Sequence, residues 1–419
     1  MLKTAPNAAG WQKLFDKLDI SEKLQNTGSF KLTADQIRRI GQREPRLMTK
    51  FDSRNHRPKV LSQARVTILP ITNGEYLLLR GDGYFDIPPT QHVETYDASK
   101  IGHIETLPWK EGIRSESQAI DTLFMASALK TFTCDDGLQL TMRGRLRSRR
   151  FKFGFRTEVR LEKLTVDGVQ IEVDAGFEGK KIVIVEAKYG ALQDFIVRQL
   201  FYPYRDLIES GTRKEIIPIL LVYSNRVYSL YQFEVPDPNS YSLKLVQQVD
   251  YSLEEVRTMP RLEDVFLGKT GSVPSGIPFP QADDLSKVFD VTDLLSGGPA
   301  RKEQIAEEFE VDPRQGDYYG NAAAFVGLTE KRHHQFSLTK DGEEFVKRDR
   351  TARIVEVARR VTQLPAFWDA AKAHLSGDPL DNNQIARLIE RNYALSGSTP
   401  LRRASTVQAW VKWLSEHLR

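Results

Sequence analysis

Val169-Gln170-Ile171-Glu172-Val173-Asp174-Ala175-Gly176-Phe177, then Glu178-Gly179-Lys180-Lys181, then Ile182-Val183-Ile184-Val185-Glu186-Ala187-Lys188 is the stretch on which the reading of this chain turns. Its outer segments are rich in β-branched residues, which suit a pleated surface, and the glycine-containing middle reads as a turn. Side chains alternate across a strand with period two. The odd positions Ile171, Val173, Ala175, Phe177, Val183, Val185 and Ala187 are all apolar. The even positions carry Glu172 and Asp174 on the first strand and Ile184, Glu186 and Lys188 on the second. A hairpin loop of odd length, such as three residues, keeps the two apolar sets on one face. The opposite face then gathers three carboxylates and one ammonium, with opposed and diagonal neighbours roughly 5–8 Å apart.

Adjacent carboxylates repel one another, and a divalent cation relieves that repulsion. Mg²⁺ suits such a set, because it keeps several waters and takes one or two carboxylates plus a substrate phosphate. Lys188, two residues beyond the second acid and on the same side, can hold an attacking water or offset charge on a phosphate. The competing reading is a solvated sheet face laced with ion pairs, Glu172 across from Lys188 among them. The spacing carries more specificity than the residues singly, and it favours the metal site.

Working outward, Ser115 is placed to cap a helix reaching Phe132, with Ile120, Leu123, Phe124, Ala128 and Leu129 on one broad face. After Lys188 a helix is expected from about Leu192 to Ser210, carrying Arg198 and Gln199. The apolar runs Ile216–Tyr223 and Arg226–Gln232 read as two further strands joined at Ser224-Asn225. Near the start, Arg65–Ile71 and Tyr76–Arg80 flank Asn73-Gly74, a strong hairpin signal. Helix, strands, helix, strands is the order of a layered α/β (α+β) domain.

Asp174, eleven intervening residues and then Glu186-Ala187-Lys188 between β-branched strands resembles the active-site motif of the PD-(D/E)XK nuclease superfamily. The wider pattern resembles type II restriction endonucleases. The matching pieces are the region of Phe51 to Arg54, "IEVDAGFEG", "VEAK", "VRQLFYPYR", "PILLVYSN" and "DPRQGDYYGNAAAFVGL". The resemblance implies a nuclease core with a mixed central sheet and Mg²⁺ held by Asp174, Glu186 and the Ala187 carbonyl. Lys188 would position or activate the water. Glu116 matches the extra glutamate that some relatives carry on the first core helix, although an acid in a first turn is also favoured by the helix dipole. Gln199 resembles a helix glutamine of exonuclease-like members, but Pro203 stands where their tyrosine would be. Val173 replaces the family's proline. The implied activity is site-specific hydrolysis of double-stranded DNA leaving 5′-phosphate and 3′-hydroxyl ends, by a homodimer whose genetic partner is a DNA methyltransferase. A DNA repair or recombination nuclease of the same fold, or a winged-helix DNA-binding protein that does not cut, are the other readings.

Arg143, Arg145, Arg147 and Arg149 alternate with Gly144, Leu146 and Ser148. On a strand this puts four guanidinium groups on one face, expected to track phosphates, the alternative being a solvated edge strand. The Gly/Pro/Ser-rich run at 267–280 reads as part of a linker, 267–284, following an N-terminal region at 1–105 and a nuclease core at 106–266. Beyond it, helices at Val291–Leu295, Lys302–Phe309 and Tyr318–Val326 precede a hairpin-like stretch from Gln335 to Gly342. That is a winged-helix pattern at 285–350, followed by a helical region at 351–419. Arg314, Gln315 and Asn321 are its candidates for reading base edges, though Ala322–Phe325 make much of that helix apolar. The linker suggests that residues 1–266 fold alone.

Bulk properties agree with these readings. The 419 residues exceed one ordinary core, and a net charge of +4 permits a polyanionic partner without demanding one. One cysteine, Cys134, excludes an internal disulfide and a cysteine-rich zinc site. No apolar run suits a membrane span or a signal peptide, so a cytoplasmic location is expected. The histidines, including Asn55-His56 and His333-His334, lack companions at ligand spacing.

Overall fold

A computed structural model describes residues 6–90, 92–107, 109–110, 112–255, 257–266, 273–309 and 311–418. Its centre is a mixed sheet of seven strands: β1 (Val93–Thr95), β2 (Gln139–Arg147), β3 (Gln170–Glu178), β4 (Ile182–Tyr189), β5 (Ile216–Ser224), β6 (Val227–Glu234) and β7 (Lys244–Ser252). Their spatial order is β1-β7-β6-β5-β4-β3-β2. β4 lies parallel to β5 and β7 to β1, while the other neighbours are antiparallel.

Parallel neighbours need a crossover, and here it carries helix α2 (Arg198–Glu209), preceded in the chain by α1 (Glu116–Met125). The two helices cover opposite faces. Ala175, Phe177, Val183, Val185 and Ala187 join Ile120 and Leu123 of α1 in the main core. On the other side Leu220 and Val222 of β5 pack with Leu200 of α2 and with Phe195. Every residue of β4 is therefore buried, as expected of a strand roofed on both faces.

The hairpin around Asn73-Gly74 is present as Val66–Thr72 with Glu75–Arg80, and Ser29–Thr33 adds a third strand. One face of this small sheet closes a core of its own with Trp11, Leu14 and Leu24. The other contributes Leu69 and Leu79, which pack with Phe153, Phe155, Phe201 and Tyr202.

Three local expectations need correction. The helix expected to run from Ser115 to Phe132 breaks at Ser127, whose φ is 69°, and resumes as Ala128–Thr133. The helix expected from Leu192 starts at Arg198, because Asp194–Ile196 pairs as a strand with Tyr84–Asp86 and buries Phe195. The hairpin-like stretch ends at Leu338, and Lys340–Val346 is a helix whose Gly342 N–H donates to Thr339 Oγ1 at 3.0 Å.

The C-terminal region begins with α3 (Ser286–Leu295), the short strand Ala300–Arg301, α4 (Lys302–Glu308) and α5 (Pro313–Phe325). Strands Thr329–Arg332 and Gln335–Leu338 come next and complete a three-stranded antiparallel sheet. Helices at Arg350–Thr362, Pro365–Leu375, Asn382–Asn392 and Thr399–His417 end the chain. Part of the expected linker, 267–272, lies outside the described residues. From Phe279 onward the remainder is anchored. Phe279 and Ala282 are buried in the same apolar core as Val183, Ile217 and Trp410. Polar contacts cross the same seam: Tyr189 Oη donates to the Asp290 carbonyl at 3.3 Å and Arg226 Nη2 to the Val346 carbonyl at 2.6 Å. Apolar burial and hydrogen bonds therefore cross the boundary that the Gly/Pro/Ser run marks in the sequence.

Candidate active site

β3 pairs with β4 from Glu178–Ile182 as far as Ala175–Val185, around the three-residue turn Gly179-Lys180-Lys181. This is the odd loop that the parity of the sequence requires. Beyond Ala175 the two strands part company. β3 continues along β2, with Glu172 opposite Arg145, while β4 continues along β5 as far as Tyr189. Asp174 bridges the opening: its Oδ2 accepts the Ala187 N–H at 2.8 Å, replacing a ladder bond. The opening holds a cavity of about 450 Å³ lined by Glu116, Glu172, Asp174, Glu186, Lys188 and Gln199.

Within it Glu186 and Lys188 are 5% and 7% exposed. Lys188 Nζ lies 3.0 Å from Glu186 Oε1 and 3.8 Å from Glu116 Oε1. Gln199 Nε2 donates to the same Glu186 oxygen, and Gln199 Oε1 is enclosed without a partner. Burial pushes the Glu186 carboxyl well above the usual carboxylate range, and Asp174 and Glu116 push the same way, against the pull of Lys188. A buried acid crowded by two more acids is a group whose ionised form a divalent cation would stabilise. Among the described residues no three His, Cys, Asp or Glu side chains stand as a ready metal cage. A Mg²⁺ site does not require one, since two carboxylates, a backbone carbonyl, waters and phosphate suffice. The oxygens of half-buried Asp174, buried Glu186 and Gln199 fit that donor set.

Glu172 lines the cavity but is half-exposed and pairs with Arg145 Nε at 3.3 Å. The four arginines do not form one row. β2 shifts register between Leu140 and Met142 and again between Met142 and Gly144, and ends at Arg147. Arg143 consequently reaches Asp121 of α1 at 2.6 Å, whereas Arg149 reaches Asp206 of α2, on the other face, at 2.6 Å. The repulsion expected among four like charges is thus relieved by carboxylates. Arg145 and Arg147 remain together, sharing a shallow cavity of about 370 Å³ with Asn73 and Gln170.

On α5, Gln315 lines a second cavity of about 550 Å³ that shares Glu116 and Lys188 with the first. Arg314 is exposed at the helix start. Asn321 is half-buried beside Gly320, which is pressed against the Phe336 ring, and Ala322–Phe325 are buried. Sequence reasoning missed the wall facing the acids: Arg46, Thr49, Lys50, Thr72, Asn73 and Tyr76 of the N-terminal region line the first cavity. No spacing signal could have found them, because they come from elements folded around a separate core. Arg54, in the matched region near the start, serves as a staple instead, pairing with Asp82 at 2.8 Å, with Asp194 at 3.5 Å and with Asp86.

Three stretches of the chain match family models described only as domains of unknown function. Residues 79–252, holding every acid of the cavity, match DUF6997. Residues 8–78 match DUF6996 and residues 287–419 match DUF7226. No curated protein and no solved structure matches the chain. No helix among the described residues is long and apolar enough to cross a membrane.

Proposed function

We propose that the chain is a Mg²⁺-dependent endonuclease of the PD-(D/E)XK type that hydrolyses phosphodiester bonds in double-stranded DNA, in the manner of a type II restriction enzyme. The observation that carries the reading is the parting of β3 from β4, which gathers Asp174, Glu186, Lys188, Glu116 and Gln199 around one cavity. Asp174, Glu186 and the Ala187 carbonyl would hold the cation, with Gln199 fixing the Glu186 carboxylate. The chemistry that Mg²⁺ supplies when bound is stabilisation of the charge developing on the phosphate and the departing oxygen. Lys188, held by Glu186 and Glu116, orients the attacking water against the phosphate. Arg145 and Arg147, with Asn73 beside them, offer a phosphate contact next to the acids. The order helix, strand, two helices, two strands over 286–338 supports a winged-helix reading of that segment. Its Gln315 lines the cavity adjoining Lys188, so the region would lie along the same DNA. Cutting both strands needs two such centres, for which a homodimer is the simple arrangement.

The test is incubation of the purified protein with unmodified phage DNA and Mg²⁺, and then sequencing of fragment ends. Discrete 5′-phosphorylated ends within a shared sequence support the reading. Intact DNA across a range of unmodified templates and divalent cations would refute it.

A further inference from the structure

Away from the acids, a third cavity of about 900 Å³ lies where the edge of the sheet meets the C-terminal helices. Apolar side chains supply about half of its walls, Ile87, Pro88 and Pro89 from the loop before β1, Val222 and Tyr231 from the sheet, and Met259 and Trp413, while Asp284 and Glu416 are the acids that line it. Among these walls stands Arg350. Its Nε is enclosed without a hydrogen-bond partner, as are those of Arg205, Arg226 and Arg353, but unlike theirs its guanidinium forms no ion pair with a carboxylate among the described residues. Desolvation lowers its pKa to about 10, with Asp250 acting only through space in the opposite sense. Other arginines of this chain that leave solvent are matched, as Arg353 is by Asp293 at 3.0 Å and Arg226 by Glu254 at 3.1 Å. A desolvated cation left without an anion costs several kcal/mol, so a site that keeps one beside a cavity is built to receive the missing charge.

The neighbours suggest what carries that charge. The Trp413 ring is stacked by His417 at 3.7 Å, and both line the cavity with Arg350. Asn225 lines it too, with a buried Oδ1 that has no partner. A cavity of this size that combines apolar walls with convergent polar groups is a form that small-molecule sites take. Apolar walls accept the body of a flat ring, although Trp413 is itself stacked with His417 and Phe289, and a guanidinium matches a phosphate with paired donors. We propose that this cavity binds a mononucleotide-like phosphate monoester, its phosphate on Arg350 and its ring against the apolar walls.

The same chemistry could come from a free nucleotide or from the 5′-phosphate of a DNA strand, and the test separates them. Calorimetric titration of the full chain with AMP, GMP, CMP and TMP, without divalent cation, should give saturable binding for at least one. Arg350→Met should weaken that binding about ten- to a hundredfold, the worth of a charged hydrogen bond. It should leave the melting temperature equal or higher, because an unpaired charge has been removed. Arg350→Lys should restore part of the affinity. Competition by a 5′-phosphorylated oligonucleotide, but not by its 5′-hydroxyl form, would assign the site to strand ends, and failure to compete would assign it to free nucleotides. Absence of binding by every mononucleotide, undiminished binding by Arg350→Met, or a marked drop in its melting temperature would overturn the proposal. None of these readouts uses DNA cleavage, so failure of the nuclease reading would not be mistaken for failure here.

Discussion

Replacing Asp290 with asparagine should change how the stability of the protein depends on pH. Asp290 lies on α3 and is 1% exposed, at the seam between the C-terminal region and the sheet. Its Oδ1 accepts from Ser224 Oγ at 2.8 Å and from the Asn225 N–H at 3.3 Å. Oδ2 accepts the Ala191 N–H at 3.1 Å and sits 3.9 Å from Lys287 Nζ. Burial raises its pKa from 3.8 to about 6; Lys287, Ser224 and Ala191 oppose the rise and Asp284 adds to it. The folded protein therefore holds this proton more tightly than the unfolded chain. Stability from this group is fully present below about pH 4 and is lost as pH rises through about 6, a total of about 3 kcal/mol. The amide of Asp290→Asn cannot titrate. It would face the Ala191 N–H, a conflict worth about 1–3 kcal/mol that does not vary with pH. The quantity to measure is thus the difference in unfolding free energy between variant and parent across that range. Denaturant unfolding monitored by the fluorescence of Trp368, Trp410 and Trp413 should show the variant gaining about 3 kcal/mol on the parent from acid to neutral pH. A difference flat in pH would mean that Asp290 is not a buried, ionised link between the two regions.

Three other outcomes are expected. Asp174→Ala or Glu186→Ala should abolish Mg²⁺-dependent cleavage while leaving DNA binding in Ca²⁺ largely intact, and normal cutting by either would remove the proposed centre. Arg145→Ala with Arg147→Ala should weaken binding to all sequences and lower the salt dependence by roughly 0.9 per lost phosphate contact, measured as the slope of log affinity against log salt; an unchanged slope would leave them as solvated edge residues. Arg353→Leu should destabilise the protein by about 3–5 kcal/mol by stranding Asp293, and Asp293→Leu in the same chain should recover much of that in a denaturation cycle; equal losses in single and double variants would deny the pairing.

The grouping of the candidate residues around one cavity was legible in the chain because it rests on local periodicity. Strand alternation put Asp174, Glu186 and Lys188 on one face, and the turn Gly179-Lys180-Lys181 has the odd length this needs. Ser115 before Glu116 and Asn73-Gly74 between apolar runs are equally local signals, and each marks an element present in the structure. Everything set by contacts between distant segments needed the tertiary structure. Alternation at Arg143–Arg149 implied one basic face, but the register shift between Met142 and Gly144, the end of β2 at Arg147 and acids on opposite helices divided it, and neither shift nor partner has a period. The N-terminal wall of the first cavity and the apolar surroundings of Arg350 have no neighbours in sequence that announce them. The run at 267–280 has the composition of a linker, yet Phe279 is packed against Phe325 and Phe367 in the main core. Composition reports how readily a segment bends. Whether apolar surface is buried across it depends on which faces the folded chain brings together, and that the tertiary structure alone decided.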